Sequence, residues 1–163
     1  MTGRRVPQAR ASREAERVER AAAEQLRRIR GVHDRHHLTL LCRDLSEVGS
    51  YARVDNRQYR LLKAATPGPF TFILDATKEV PRRVSHPSRK TIGIRIPDHP
   101  VALGLLDVLG QALLSTTLLL PGDELPLCDG EYIAESFGQL IGFDCVGHKP
   151  SLPQFKSIYF ILM

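Results

Sequence analysis

No stretch of this sequence is apolar for the roughly 18 residues that a membrane-spanning helix needs, so no such helix and no membrane partner are expected. The N-terminus is basic but no apolar run follows it, which argues against a secretory signal and for a cytoplasmic protein. The three cysteines, Cys42, Cys128 and Cys145, are odd in number and show no CxxC spacing. A disulfide framework and a structural zinc site are therefore not supported, and small buried hydrophobes in a reducing compartment are expected instead. A glycine-rich phosphate loop and a nucleophile elbow are both missing.

The 163 residues, 42% of them hydrophobic, suit one globular domain. Formal net charge is +5, and its placement says more than its size. Residues 1–30 hold nine Arg against four Glu, whereas residues 31–163 hold 14 Lys/Arg and 14 Asp/Glu. A basic segment of this kind binds nucleic acid or forms a solvated helix face. It carries no interleaved aromatics, so base stacking is not suggested.

Residues 1–11 read as a basic arm. Ser12 can cap a helix whose apolar positions Ala15, Val18, Ala22, Leu26 and Ile29 recur at helical spacing, with Gly31 as its terminator. Strands are expected at His37–Cys42, Phe70–Leu74, Thr91–Ile96 and Ala112–Ser115, with a short one at Phe143–Val146. Asp44 and Ser46 begin a helical turn. Asp55 caps a helix that ends at Ala65 before Thr66-Pro67-Gly68-Pro69. Asp98 and Pro100 open a helix that Gly110 closes, and Tyr132–Leu140 forms another. Alternation of strands and helices makes the class α/β.

Three groups of residues invite a chemical reading. Arg28 and Arg30, ending a helix, offer two planar forks to phosphate oxygens, although arginines in a last turn also suit the helix dipole. His33, Asp34, His36 and His37 are metal-ligand types, but adjacent extended residues point opposite ways, so solvated loop histidines are expected and no metal. Ser115, Thr116 and Thr117 end a strand, where an open α/β sheet presents ligand hydroxyls; local turn capping is the alternative.

Several stretches together carry a resemblance: RRIRGVHDRHHLTLLCRDLSEV (27–48), TPGPFTFIL (66–74), KEVPRR (78–83), RKTIGIRIPDHP (89–100), LLSTTLLLPG (113–122) and, more weakly, GHKPS (147–151). They resemble the YrdC/YciO family, and within it the YciO branch. The resemblance implies a twisted open mixed sheet with flanking helices around a concave, positively charged surface. It implies nucleotidyl transfer: L-threonine, bicarbonate and ATP, with Mg2+ and no permanently bound cofactor, give threonylcarbamoyl-adenylate for tRNA modification.

The family's K-x-R motif falls on Arg28-Ile29-Arg30, and its S-x-N motif on Thr117-Leu118-Leu119. The resemblance thus assigns Arg28, Arg30, Ser115 and Thr117 to nucleotide phosphates, and Arg95 to the substrate. Family members carry a P-T-D-[ST] loop before the K-x-R helix and a T-V-[VI]-D strand after GHKPS, and neither pattern occurs here. The expected organisation is an arm (1–11), a partial YrdC-like domain (12–151), incomplete at its N-terminus, and a divergent apolar tail (152–163). Weak or absent synthesis follows as an expectation. The alternatives are a module binding double-stranded RNA or tRNA, or a truncated inactive fragment.

Overall fold

The structure, a computed structural model, describes residues 21, 23–33, 36–80, 84–86 and 88–137. The expected arm, the Ser12 cap, the Phe143–Val146 strand, the GHKPS motif and the apolar tail lie outside those residues.

A five-stranded sheet in the order β2-β3-β4-β1-β5 organises the chain. Its strands are β1 (Thr39–Leu41), β2 (Ala52–Arg53), β3 (Phe72–Ala76), β4 (Thr91–Arg95) and β5 (Leu113–Ser115). Only β1 and β4 run parallel; the β1–β5, β2–β3 and β3–β4 pairs are antiparallel. Its helices are α1 (described over 23–30), α2 (Leu45–Tyr51), α3 (Asn56–Ala65), α4 (Pro100–Leu109) and α5 (Gly130–Phe137). This is the mixed, open α/β sheet with flanking helices that the sequence led us to expect.

The helix ends follow from local chemistry. Asp44 caps α2 by accepting from the Glu47 amide at 2.9 Å. Asp55 and Gln58 form a reciprocal capping box on α3, satisfying two amides that a helix start leaves open. α4 starts with Pro100 at its first position and stops at Gly110, whose φ of 65° suits a residue without Cβ. Its N-cap is His99, which makes no side-chain capping bond, and not Asp98.

Because strand side chains alternate, the sheet divides its residues between two faces. Leu40, Leu74, Ile92, Ile94 and Leu114 face the main core, shared with Ala23 and Leu26 of α1, Val48 of α2, Leu62 of α3 and Ile133 of α5. Each of the Val, Leu and Ile side chains among them contributes about 1.5–3 kcal/mol on leaving water. On the opposite face Leu41 and Leu113 meet Leu106 of α4 in a second, smaller cluster. α4 therefore covers only one end of that face.

Two further details depart from the sequence expectation. β3 begins at Phe72, two residues later than expected, because Phe70 and Thr71 extend from the Pro67–Pro69 break before pairing starts. β2 went unforeseen, since two residues give no alternation to detect.

Candidate functional site

The uncovered end of the α4 face holds a cleft of about 310 Å3, lined by Arg30, His36, His37, Thr39, Thr71, Ile73, Thr116 and Thr117. No carboxylate is among these lining residues. A register row forms its floor: Ile73 of β3 pairs with Gly93 of β4, Gly93 with Thr39 of β1, and Thr39 with Ser115 of β5. Gly93 is required there. A Cβ would come within 2.8 Å of the Thr39 hydroxyl, 2.9 Å of the Leu38 carbonyl and 3.2 Å of the Thr71 methyl. Without a side chain at 93, the two threonines close over the strand.

Arg30 forms the cationic wall. Its Nη1 donates to Thr116 Oγ1 at 2.8 Å and to His36 Nε2 at 2.6 Å, and its Nε reaches the Leu119 carbonyl at 3.4 Å. These contacts tie the C-terminal end of α1 to the segment after β5, 86 residues away. The junction depends on Gly31, which ends α1 with φ 60°. A Cβ there would lie 2.6 Å from Cγ of Pro121, so the proline ring occupies the space that the glycine leaves. Burial pushes the Arg30 guanidinium below its ordinary pKa. It stays charged, because arginine is not deprotonated in proteins.

Histidines line a second side. His37 Nε2 lies 2.9 Å from Thr91 Oγ1, and the ring packs against His86 with centroids 4.8 Å apart. The His86 Nδ1 accepts from the Arg89 amide at 3.1 Å, which fixes the turn before β4. Both cleft histidines are held below the ordinary value of 6.5. For His36 the causes are burial, then Arg30, His37 and Arg27; for His37 they are burial, then His86 and Arg89.

Of the residues singled out from the sequence, Arg30 and Thr117 line the cleft. Ser115 is fully buried at the end of the floor row, and its Oγ finds no hydrogen-bond partner among the described residues. Arg28 is exposed on the other side of α1. Positions two apart on a helix stand about 200° around the axis, so one cannot bury with the other. Arg95 is buried in β4, on the same face as Gly93 but in the next register row, opposite Leu41.

The histidines were expected as solvated loop residues. His36 is exposed, as expected, yet it bonds Arg30, and His37 is half-buried between Thr91 and His86. The available signal was that HHL runs straight into a strand, which pins at least one of the rings against the sheet. Asp34 lies outside the described residues, and among those described no three His, Cys, Asp or Glu side chains converge as metal ligands. The basic residues behind the RNA reading fall largely in 1–20, also outside them. No helix among the described residues is long and apolar enough to cross a membrane.

The Sua5_yciO_yrdC family model, described as telomere recombination, matches residues 15–151. The chain belongs to the Sua5/YciO/YrdC family. It is 48% identical over 134 residues to YciO of Escherichia coli K12, an uncharacterized protein, covering 80% of this chain and 65% of YciO. It is 33% identical over 97 residues to the threonylcarbamoyl-AMP synthase of Halorhodospira halophila, covering 59% of this chain and 50% of the synthase.

Among solved structures, E. coli YciO superposes with a TM-score of 0.70 at 50% identity, over 74% of this chain and 58% of that one. Pyrococcus abyssi Sua5 complexed with L-threonine gives 0.67 at 21% identity, over 76% of this chain and 36% of that one, which establishes a shared fold. The chain thus spans about two thirds or less of each of these relatives.

Proposed function

We propose that the cleft binds the phosphates of ATP and that the chain carries the nucleotide side of a reaction of the threonylcarbamoyl-AMP synthase type. One observation carries this reading. A buried arginine, fixed by Thr116 and the Leu119 carbonyl, faces a carboxylate-free hollow floored by hydroxyl groups. Such a site suits a polyanion, because preorganised donors need no rearrangement when charge arrives.

The reaction follows from that placement. The amine of L-threonine captures CO2, supplied by bicarbonate, as a carbamate. A carbamate oxygen attacks the α-phosphorus, the bond to the bridging oxygen breaks, and pyrophosphate departs with the electrons of that bond. ATP enters as its magnesium complex, so the metal belongs to the substrate. Arg30 neutralises phosphate charge, Thr117 donates its hydroxyl to a phosphate oxygen, and Arg28 adds charge from outside the lining; Ser115, fully buried beneath the cleft, supports the floor and does not touch the ligand. Arg95 is the cation assigned to the threonine carboxylate. Most of the help required is alignment and neutralisation of anions.

Turnover is expected to be slow. Leu119 lends its carbonyl to Arg30, but its side chain stands where the family pattern has an amide. Losing one polar contact costs about 1–3 kcal/mol, or roughly one to two orders of magnitude in rate. The measurement is pyrophosphate release that requires both threonine and bicarbonate, alongside ATP titrations of the native chain and Arg30→Ala. Slow, doubly dependent release with ATP affinity lost in the variant is expected. Equal ATP affinity in the two proteins overturns the site, and turnover matching the H. halophila synthase overturns the role given to Leu119.

A further inference from the structure

We propose that His36 reverses its hydrogen-bonding role when an oxyanion enters the cleft, from acceptor toward Arg30 to donor toward the anion, so that anion binding takes up a proton. This rests on the reading of the cleft as a phosphate site, and adds a ligand-linked proton to it.

The argument starts from Arg30. Its Nη1 carries two hydrogens, and both are engaged, one on Thr116 Oγ1 at 2.8 Å and one on His36 Nε2 at 2.6 Å. Guanidinium has no acceptor, so His36 must present a lone pair at Nε2. The ring is therefore neutral, with its proton on Nδ1. A lone pair in that position has the wrong polarity for the ligand that the cleft suits, since it meets the lone pairs of an incoming phosphate or sulfate oxygen. Protonation resolves the conflict. An imidazolium Nε2–H donates to the oxyanion, and the anion offsets the charges of His36 and Arg30 together.

The surroundings keep that proton off until the anion arrives. Partial burial acts first on His36, then Arg30, the neighbouring His37 and Arg27 of α1, and all favour the neutral ring. The His36 amide is held by the His33 carbonyl at 2.9 Å, which fixes the loop backbone, and the residue is exposed to solvent at the mouth of the cleft. His37 does not share this role, because its Nε2 is engaged by Thr91 of β4 and its ring is packed on His86, beside Arg89. The device thus resides in one ring at the mouth, between a fixed arginine and solvent.

Inorganic sulfate tests this on the intact chain, because its own charge stays fixed across the pH range used. The His36 ring is titrated by NMR with and without sulfate, and sulfate affinity is measured against pH. The expected results are an upward move of the His36 midpoint on sulfate binding and an affinity that falls by up to about tenfold per pH unit as pH rises, the slope of one linked proton. His36→Gln keeps an acceptor for Arg30 but cannot titrate, and should flatten that slope. Sulfate that shifts the Thr116 and Thr117 resonances without moving the His36 midpoint overturns the proton linkage and leaves the anion site standing. A slope retained in His36→Gln overturns the assignment to this ring. Cleft resonances unmoved by sulfate at every pH overturn both the linkage and the phosphate site.

Discussion

Two hollows among the described residues differ in chemistry more than in size. The larger, about 470 Å3, lies between α2, α3 and β2, and is lined by Leu45, Val48, Gly49, Ala52, Arg53, Val54, Tyr59, Leu62 and Thr77. Several of its walls are the outer surface of the main core, with Val48, Ala52 and Leu62 almost wholly buried. The smaller, at the edge of α4, is walled by a fixed arginine, two histidines and a set of hydroxyls. Volume alone would choose the first. Convergent polar groups on a sheet face choose the second, because a site needs donors whose positions are set before the ligand comes. The larger hollow is where three elements meet imperfectly over their own core.

That contrast breaks most sharply on one substitution in each hollow. Leu62→Ala removes a buried side chain from the larger and should cost about 2–5 kcal/mol of stability while leaving ATP affinity unchanged. Arg30→Ala should do the reverse, lowering ATP affinity by about tenfold to a hundredfold, the worth of a hydrogen bond to a charged group. Denaturant unfolding and calorimetric ATP titration of both variants check it. Equal effects on ATP from the two variants would erase the distinction.

Next in size is the joint that places Arg30. Gly31→Ala forces a left-handed conformation on a residue with Cβ and drives that atom toward Pro121, 2.6 Å away. Together these should cost about 1–3 kcal/mol and weaken ATP binding, since the end of α1 must shift. Adding Pro121→Ala should recover part of the loss by removing the clash but not the backbone strain, giving a coupling readable by a double-mutant cycle. Strict additivity would mean that the ring and the glycine do not meet.

Much of this was legible in the sequence wherever the governing physics is local. The Asp55 cap, the helical turn begun at Asp44, the Gly110 stop and the strand from Thr91 are short-range signals, and the structure shows each of them. The polar cleft was half legible. Arg30, Thr117 and Ser115 could be named, but Arg28 and Arg30 read as a pair although helical phase sends them to opposite sides of α1. Contacts across 86 residues, such as Arg30 to Thr116, leave no local trace. The same holds for His37, whose partner Thr91 is 54 residues away, and for the floor row, which exists only once four strands are in register. β2 is too short to have any period at all.

The smallest expected difference between the two hollows is their answer to pH. His36 and His37 are held below 6.5 by burial and by neighbouring cations, so the folded chain binds these protons less readily than the unfolded chain does. Stability then falls as pH drops through the ordinary histidine value, and the decline continues until the depressed folded values are reached. Asp44 acts in a separate, more acidic window. Its carboxylate, held below 3.8 chiefly by the Glu47 amide, contributes stability that is lost as pH falls through its own range. Thermal unfolding should show a melting temperature that declines between about pH 7.5 and 5.5, with a further decline only well below that. Because His36 is exposed, solvent screening limits its share to on the order of a few tenths of a kcal/mol. His36→Gln should make the upper decline slightly shallower, leaving the part due to His37, while the Leu62→Ala protein, less stable at every pH, keeps it in full. A melting temperature that rises on acidification in that interval would mean the cleft histidines gain protons on folding, and the wall they form would be anionic in character, not cationic.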